Sequence, residues 1–196
     1  MRSELYRMAS IRSSWISIAL FGAVAAAFGI LDPNFWALMA GVGAFGIGVL
    51  TITQHFQNRT TALLFLARPR RFPVLFAQIA TTVLVALGLT ALSGITVLLK
   101  DGSDVYAHTL LVIPIMAVFG ASLAAVVRRA SWLLFGFTAW FVVVEGIVGR
   151  LEWHLPMSSY LNASGGDQFA LEVFAAWALG TLAVAAVTLR RDLAGD

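Results

Sequence analysis

The stretch QHFQNRTTALLFLARPRRFP, residues 54–73, decides how this chain is divided. Arg59, Arg68, Arg70 and Arg71 crowd into it and Pro69 interrupts it. Yet GVGAFGIGVLTIT leads up to it and VLFAQIATTVLVALGLTALSGITVLL leaves it. A basic, proline-broken segment between two runs long enough to cross a hydrocarbon layer belongs at a membrane surface.

Composition supports the same reading. Hydrophobic residues make up 60% of the 196 and charged ones 12%, with a mean hydropathy of +0.87, more apolar surface than a water-soluble core of this size hides. The sequence pI near 10.0 does not point to nucleic acid. The basic residues fall in short clusters between apolar runs, with no basic face or aromatic-interleaved patch to follow a phosphate backbone. There is no cysteine, so disulfides and thiolate metal sites are excluded.

Working outward, six apolar runs appear at about 15–31, 35–53, 72–99, 106–127, 131–149 and 169–189, each near bilayer-spanning length at about 1.5 Å per residue. The expected fold is therefore all-α and integral to the membrane: one transmembrane domain over residues 1–196 with six transmembrane helices. LDPN, KDGSDV, RRA and the longer RLEWHLPMSSYLNASGGDQ connect them. Arg2, Arg7, Arg12, Arg59, Arg68, Arg70, Arg71, Arg128, Arg129, Arg190 and Arg191 share one side of this arrangement, and only Lys100 and Arg150 fall on the other. The positive-inside rule then places both termini in the cytoplasm and the chain in the cytoplasmic (inner) membrane as a multi-pass protein. Before Trp15, Leu5, Met8 and Ile11 oppose Arg2, Glu4 and Arg12 on a helix. This predicts an amphipathic N-terminal helix on the inner surface rather than a cleaved signal peptide.

Read as a helix from 55 to 67, the opening stretch sets Phe56, Thr60, Leu63 and Ala67 on one side and Gln57, Asn58, Thr61 and Arg68 on the other, where Phe65 also projects. Pro69 ends the helix, Arg70 and Arg71 stay at the headgroups, and Pro73 enters the next span in its tolerated first turn. Lipid anchoring is one use for such a helix. An apolar residue aimed at water favours the other, a short cytoplasmic coupling helix that docks a soluble partner in a groove.

Enzyme chemistry finds little footing. GVGAFG, residues 41–46, matches G-x-G-x-x-G but lies inside an apolar run with no strand before it, so its glycines are expected to pack helices. The sole lysine, Lys100, follows Leu99, which rules out a Walker A loop within this sequence. His55, His108 and His154 lack ligand spacing. No serine sits in G-x-S-x-G or beside a base. No catalytic residue, cofactor or metal site is expected.

Two carboxylates lie within or near spans, where ionisable groups are costly and face the protein or a wet cavity. Glu172, near the start of the last run, suits a first-turn acid favoured by the helix dipole. Glu145 lies deeper. On an α-helix Ser131, Thr138 and Glu145 share a face, with Leu134 and Phe141 filling the turns between. That stripe either lines a path or packs inward, and the carboxylate should face a wet path, meet a donor from another helix, or stay neutral.

The layout of a basic amphipathic N terminus, six spans, a short helix between spans two and three, and an extended outer loop before span six resembles the permease subunits of ABC-2 type exporters, particularly the compact ones of actinobacteria. Within Thr53 to Arg71, Thr60, Leu63, Leu64, Pro69, Arg70 and Arg71 match that family's pattern, while His55 stands where an acid is usual and Arg59 where glycine is usual. The resemblance implies a permease that is not itself an enzyme, with ATP hydrolysis on two copies of a separate ABC ATPase. It also implies pairing as a homodimer or with a related permease, contact with membrane lipid, and export of a hydrophobic or amphipathic substrate. The ATPase would dock on His55, Arg59, Thr60, Leu64, Phe65, Arg68, Arg70 and Arg71. Because the family lines its path with spans two and five, Thr138, Phe141 and Glu145 become translocation-path candidates. Two alternatives are a substrate-binding membrane subunit of a vitamin importer, for which Ala23 and Ala27 in AVAAA have the packing spacing, and a non-transporting assembly subunit.

Overall fold

The computed structural model describes residues 12–57 and 71–191. Its helices are α1 (Arg12–Leu31), α2 (Pro33–Gln57), α3 (Arg71–Ser93), the single turn α4 (Ile95–Leu98), α5 (Ser103–Val127), α6 (Ala130–Ala139) running on into a π-helix (Trp140–Val148), α7 (Pro156–Ser164) and α8 (Gln168–Arg191). Among the described residues there is no strand. The stretches Pro33–Gln54, Leu75–Leu98, Ser103–Val127, Ala130–Val148 and Gln168–Thr188 make 5 helices long and apolar enough to cross a membrane. This is the make-up of a multi-pass membrane protein. The sixth expected span falls on α1, whose apolar part, Ile18–Leu31, is shorter. Most of the N-terminal amphipathic segment and of the coupling helix lies outside the described residues.

Helix starts follow local chemistry. Asp32 precedes Pro33, and its Oδ1 accepts the N–H of Asn34 at 2.7 Å, so LDPN is an N-cap followed by proline at the first helical position. Asp167 does the same for α8, accepting from Phe169 at 2.9 Å and from Ala170 at 3.2 Å. Pro73 sits in the first turn of α3, as its position after Arg71 and Phe72 suggests.

α2 is the central helix, packed by α1, α3, α5, α6 and α7, and 72% of its apolar window is buried. In lipid no hydrophobic force draws helices together, so close backbone approach and interhelical polar contacts carry the association. A Cβ on Gly48 would lie 2.9 Å from the Ala121 nitrogen, and one on Gly120 would lie 2.8 Å from the Phe45 carbonyl oxygen. The α2 and α5 backbones therefore touch through two glycines. The other glycines of the 41–48 run meet side chains: Gly41 faces the Tyr160 ring, while Gly43 and Gly46 face Phe21.

Beside this seam Phe45 of α2 stacks on Phe137 of α6 at 4.2 Å, and Phe119 of α5 lies 5.8 Å from Phe137 and 5.9 Å from Phe174 of α8. Tyr160 of α7 closes the chain of rings against Phe174 at 5.8 Å. At the end remote from the arginine clusters Trp36 stacks on Tyr106 at 5.7 Å and donates from Nε1 to Ser93 Oγ at 3.2 Å. α6 is peripheral: only 11% of Ala130–Val148 is buried, and Trp132 and Phe135 are 72% and 78% exposed.

The segment 150–168 departs from the sequence expectation. Its turn formers suggest an extended loop, but within it Pro156–Ser164 folds as a helix in which Pro156, Met157, Ser158, Ser159, Tyr160, Ala163 and Ser164 are buried. α7 packs on α8, α5, α2 and the π-helix, tucked into the end of the bundle away from the arginines.

Candidate functional site

The candidate site grows from a backbone irregularity in the fifth apolar run. Beyond Ala139 the helix widens to a π-helix, and Gly149 N–H reaches the Val144 carbonyl, five residues back, at 2.8 Å. Leu151 N–H then reaches the Glu145 carbonyl at 2.7 Å, with Arg150 and Leu151 at φ of 47° and 60°. A non-glycine residue in this left-handed region costs about 1–2 kcal/mol. Two in succession after a π-helix concentrate strain at one point, a pattern typical of functional sites.

The π-helix also changes which way Glu145 points. A turn closed five residues apart holds one more residue than an α-turn, which rotates the residues beyond it by about 100° relative to α-helical register. Ser131 and Thr138 are exposed and Phe141 is half-buried against the core, whereas Glu145 is 0% exposed. The α-helical stripe of Ser131, Thr138 and Glu145 is thus split between surface and interior.

Inside, the Glu145 carboxylate finishes the N terminus of α7. Leu155 occupies the N-cap position and has no side-chain oxygen, and Pro156 has no N–H to satisfy. The next two orphan donors go to Glu145: Met157 N–H to Oε1 at 3.2 Å and Ser158 N–H to Oε2 at 2.6 Å. Ser159 N–H then begins the helical ladder at the Leu155 carbonyl, 2.8 Å away. Every early donor of α7 is accounted for, and the carboxylate lies at the positive end of its dipole. The Ser158 hydroxyl accepts from Leu155 N–H at 3.1 Å and donates to the Trp153 carbonyl, tying the preceding turn to the same point.

A second tie joins α7 to α2. Tyr160 is fully buried and donates from its hydroxyl to the Ala37 carbonyl at 2.7 Å. Burial raises its phenol well above the usual range, so the hydroxyl stays a donor. On the outer flank Trp177 Nε1 donates to the His154 carbonyl at 3.2 Å, and the His154 ring meets Phe169 edge-on at 5.2 Å.

Arg59, Thr60, Leu64, Phe65, Arg68 and Arg70 lie outside the described residues, while His55 falls in the last turn of α2 and Arg71 opens α3. Glu172 lies exposed in α8. Met157, Ser158 and Tyr160 are not among the sequence candidates, and the one sequence sign of α7 is Pro156 at its first position. Comparison of the chain with protein families, curated proteins and solved structures finds no match.

Proposed function

We propose that this chain is the membrane-spanning permease subunit of an ATP-driven exporter. In this reading it has six spans and cytoplasmic termini in the cytoplasmic membrane, and it pairs with a second copy or a related permease. Two separate ABC ATPase subunits dock on residues 55–71 and move a hydrophobic or amphipathic substrate outward. One observation carries the reading: α2 is an unbroken helix of 25 residues from Pro33 to Gln57. At its far end its Ala37 carbonyl holds Tyr160 of α7, and at its near end it leads into the arginine-rich docking segment. A helix of that length is about 37 Å long. A tilt imposed at the docking end therefore reaches the buried helix that Glu145 and Tyr160 hold across the opposite end.

α7 is then a gate, closed when Glu145 and Tyr160 hold it and opened when α2 withdraws. Phe141, half-buried on the same run as Glu145, forms the approach to it, while Thr138 lies exposed about one turn earlier. The absence of a Walker A loop in the sequence agrees with ATP hydrolysis on a partner. Ala23 and Ala27 lie exposed on α1, so the importer reading keeps a surface for a membrane scaffold.

Copurification from the native membrane separates the two. An ABC ATPase bound directly to this chain supports the exporter, and binding only through a second large membrane scaffold supports the importer. Phe65→Ala should weaken direct ATPase association by about 1–3 kcal/mol while leaving membrane insertion intact. Full retention of the partner and of transport-linked ATP hydrolysis in that variant would remove Phe65 from the docking surface.

A further inference from the structure

Between α5 and α8 runs an open groove of about 620 Å³, walled by Leu123 and Val126 on one side and by Val173, Ala176, Trp177 and Val184 on the other. Its floor is low because Gly180 lies there, and a Cβ on Gly180 would meet nothing within 4 Å. We propose that this groove holds an acyl chain of an anionic phospholipid whose headgroup sits against Arg129. The proposal is independent of the exporter reading.

The lining sets the chemistry of the occupant. The only side-chain hydroxyl in the wall, that of Thr181, already donates to the Ala178 carbonyl at 2.9 Å. A polar ligand would lose its hydrogen bonds to water and gain none, so the occupant is hydrocarbon. From Val173 to Val184 the groove follows eleven residues of α8, about 16 Å at helical rise. That is close to half the thickness of a hydrocarbon layer about 30 Å deep.

Charge selects the headgroup. Val126 lies three residues before Arg129, which is exposed in the turn between α5 and α6. The hydrocarbon slot thus opens toward Arg129. Each arginine near a membrane surface favours an anionic lipid by about 1 kcal/mol, or about fivefold.

The test uses the full chain reconstituted in phosphatidylcholine vesicles that carry a minor fraction of either brominated phosphatidylglycerol or brominated phosphatidylcholine. Trp177 lines the groove, so its emission, taken as the difference between wild type and Trp177→Phe, reports the occupant. The expected result is about fivefold more effective quenching by the brominated phosphatidylglycerol. Gly180→Leu should fill the groove and abolish the preference with helical circular dichroism unchanged, and Ala176→Leu should do the same from the wall. Arg129→Gln should bring the ratio close to one while quenching persists. Equal quenching by both lipids in wild type overturns the proposal, as does a preference that survives both filling variants. Trp177 emission shielded from both lipids also overturns it, because polypeptide then covers the groove.

Discussion

The Ser158 N–H donates to Glu145 Oε2 at 2.6 Å, so a side chain from the fifth apolar run completes the N terminus of a helix thirteen residues further on. Removing that acceptor strands donors rather than merely losing an attraction. In Glu145→Leu the N–H groups of Met157 and Ser158 are left buried without partners, at about 1–3 kcal/mol each. Glu145→Gln keeps one carbonyl acceptor and should cost clearly less. Thermal unfolding in detergent, with hydrogen exchange read at α7, should show Leu well below Gln and Gln below wild type. Protection of α7 in Glu145→Leu equal to wild type would mean that the carboxylate does not hold this helix.

The second tie can be tested separately. Tyr160→Phe removes the bond to the Ala37 carbonyl and should cost about 0.5–1.5 kcal/mol. Gly41→Ala would set a Cβ 2.4 Å from the Tyr160 ring, and overpacking of that kind costs about 1–3 kcal/mol. Because the clash needs the ring, Gly41→Ala should become nearly harmless in a Tyr160→Ala background. Additive losses in the double variant would show that the Gly41 cost arises elsewhere.

The legible and the hidden parts of this fold have different physical causes. Apolar length marks a spanning helix whatever packs around it, so Pro33–Gln54, Leu75–Leu98, Ser103–Val127, Ala130–Val148 and Gln168–Thr188 fall close to the runs read from composition. Glu145 stands out because a carboxylate in such a run is costly wherever it points. Its direction is hidden: α-helical spacing joins it to Thr138, and nothing in WFVVVEGIV announces the π-helix that turns it inward. α7 is hidden for a related reason. Leu155 occupies the cap position where Ser, Thr, Asp or Asn would signal a helix start, because the capping oxygens come from Glu145, distant in sequence. The glycines of 41–46 read as packing positions, but only the structure assigns Gly41 to a ring and sets Gly48 against a backbone.

The glycine seam between α2 and α5 predicts a contrast among substitutions that look alike in sequence. Gly48→Ala and Gly120→Ala force methyl groups against backbone atoms and should each destabilise by about 1–3 kcal/mol. At Gly88 and Gly136 a Cβ meets nothing within 4 Å, and alanine there should be neutral or stabilise by up to about 1 kcal/mol through helix propensity. Thermal midpoints of the four variants decide the matter. A uniform response would remove the case for direct backbone contact.

Orientation can be read with cysteines, since the chain has none of its own. Asp101 and Asn162 are exposed, and both belong to connections that the arginine distribution assigns to the outside. Single cysteines there should react with an impermeant reagent in intact cells, and a cysteine at Asn58 should react only after permeabilisation. The reverse pattern would invert the topology and remove the docking role proposed for residues 55–71.

The strain beside Glu145 yields a final prediction. Arg150 is exposed with φ of 47°, a conformation that asparagine tolerates and most other residues resist. Arg150→Asn should therefore stabilise the fold by about 0.5–1 kcal/mol. Arg150→Ala also removes the charge but has no carboxamide to bond the local backbone in this conformation, so it should give no such gain. The pair separates backbone strain from electrostatics: equal gains in both variants would assign the effect to the arginine charge. If the strain keeps the hold of Glu145 on α7 breakable, as a gate requires, the asparagine variant should show higher α7 protection in hydrogen exchange together with slower transport. Raised stability with unaltered α7 protection would place the strain outside the latch.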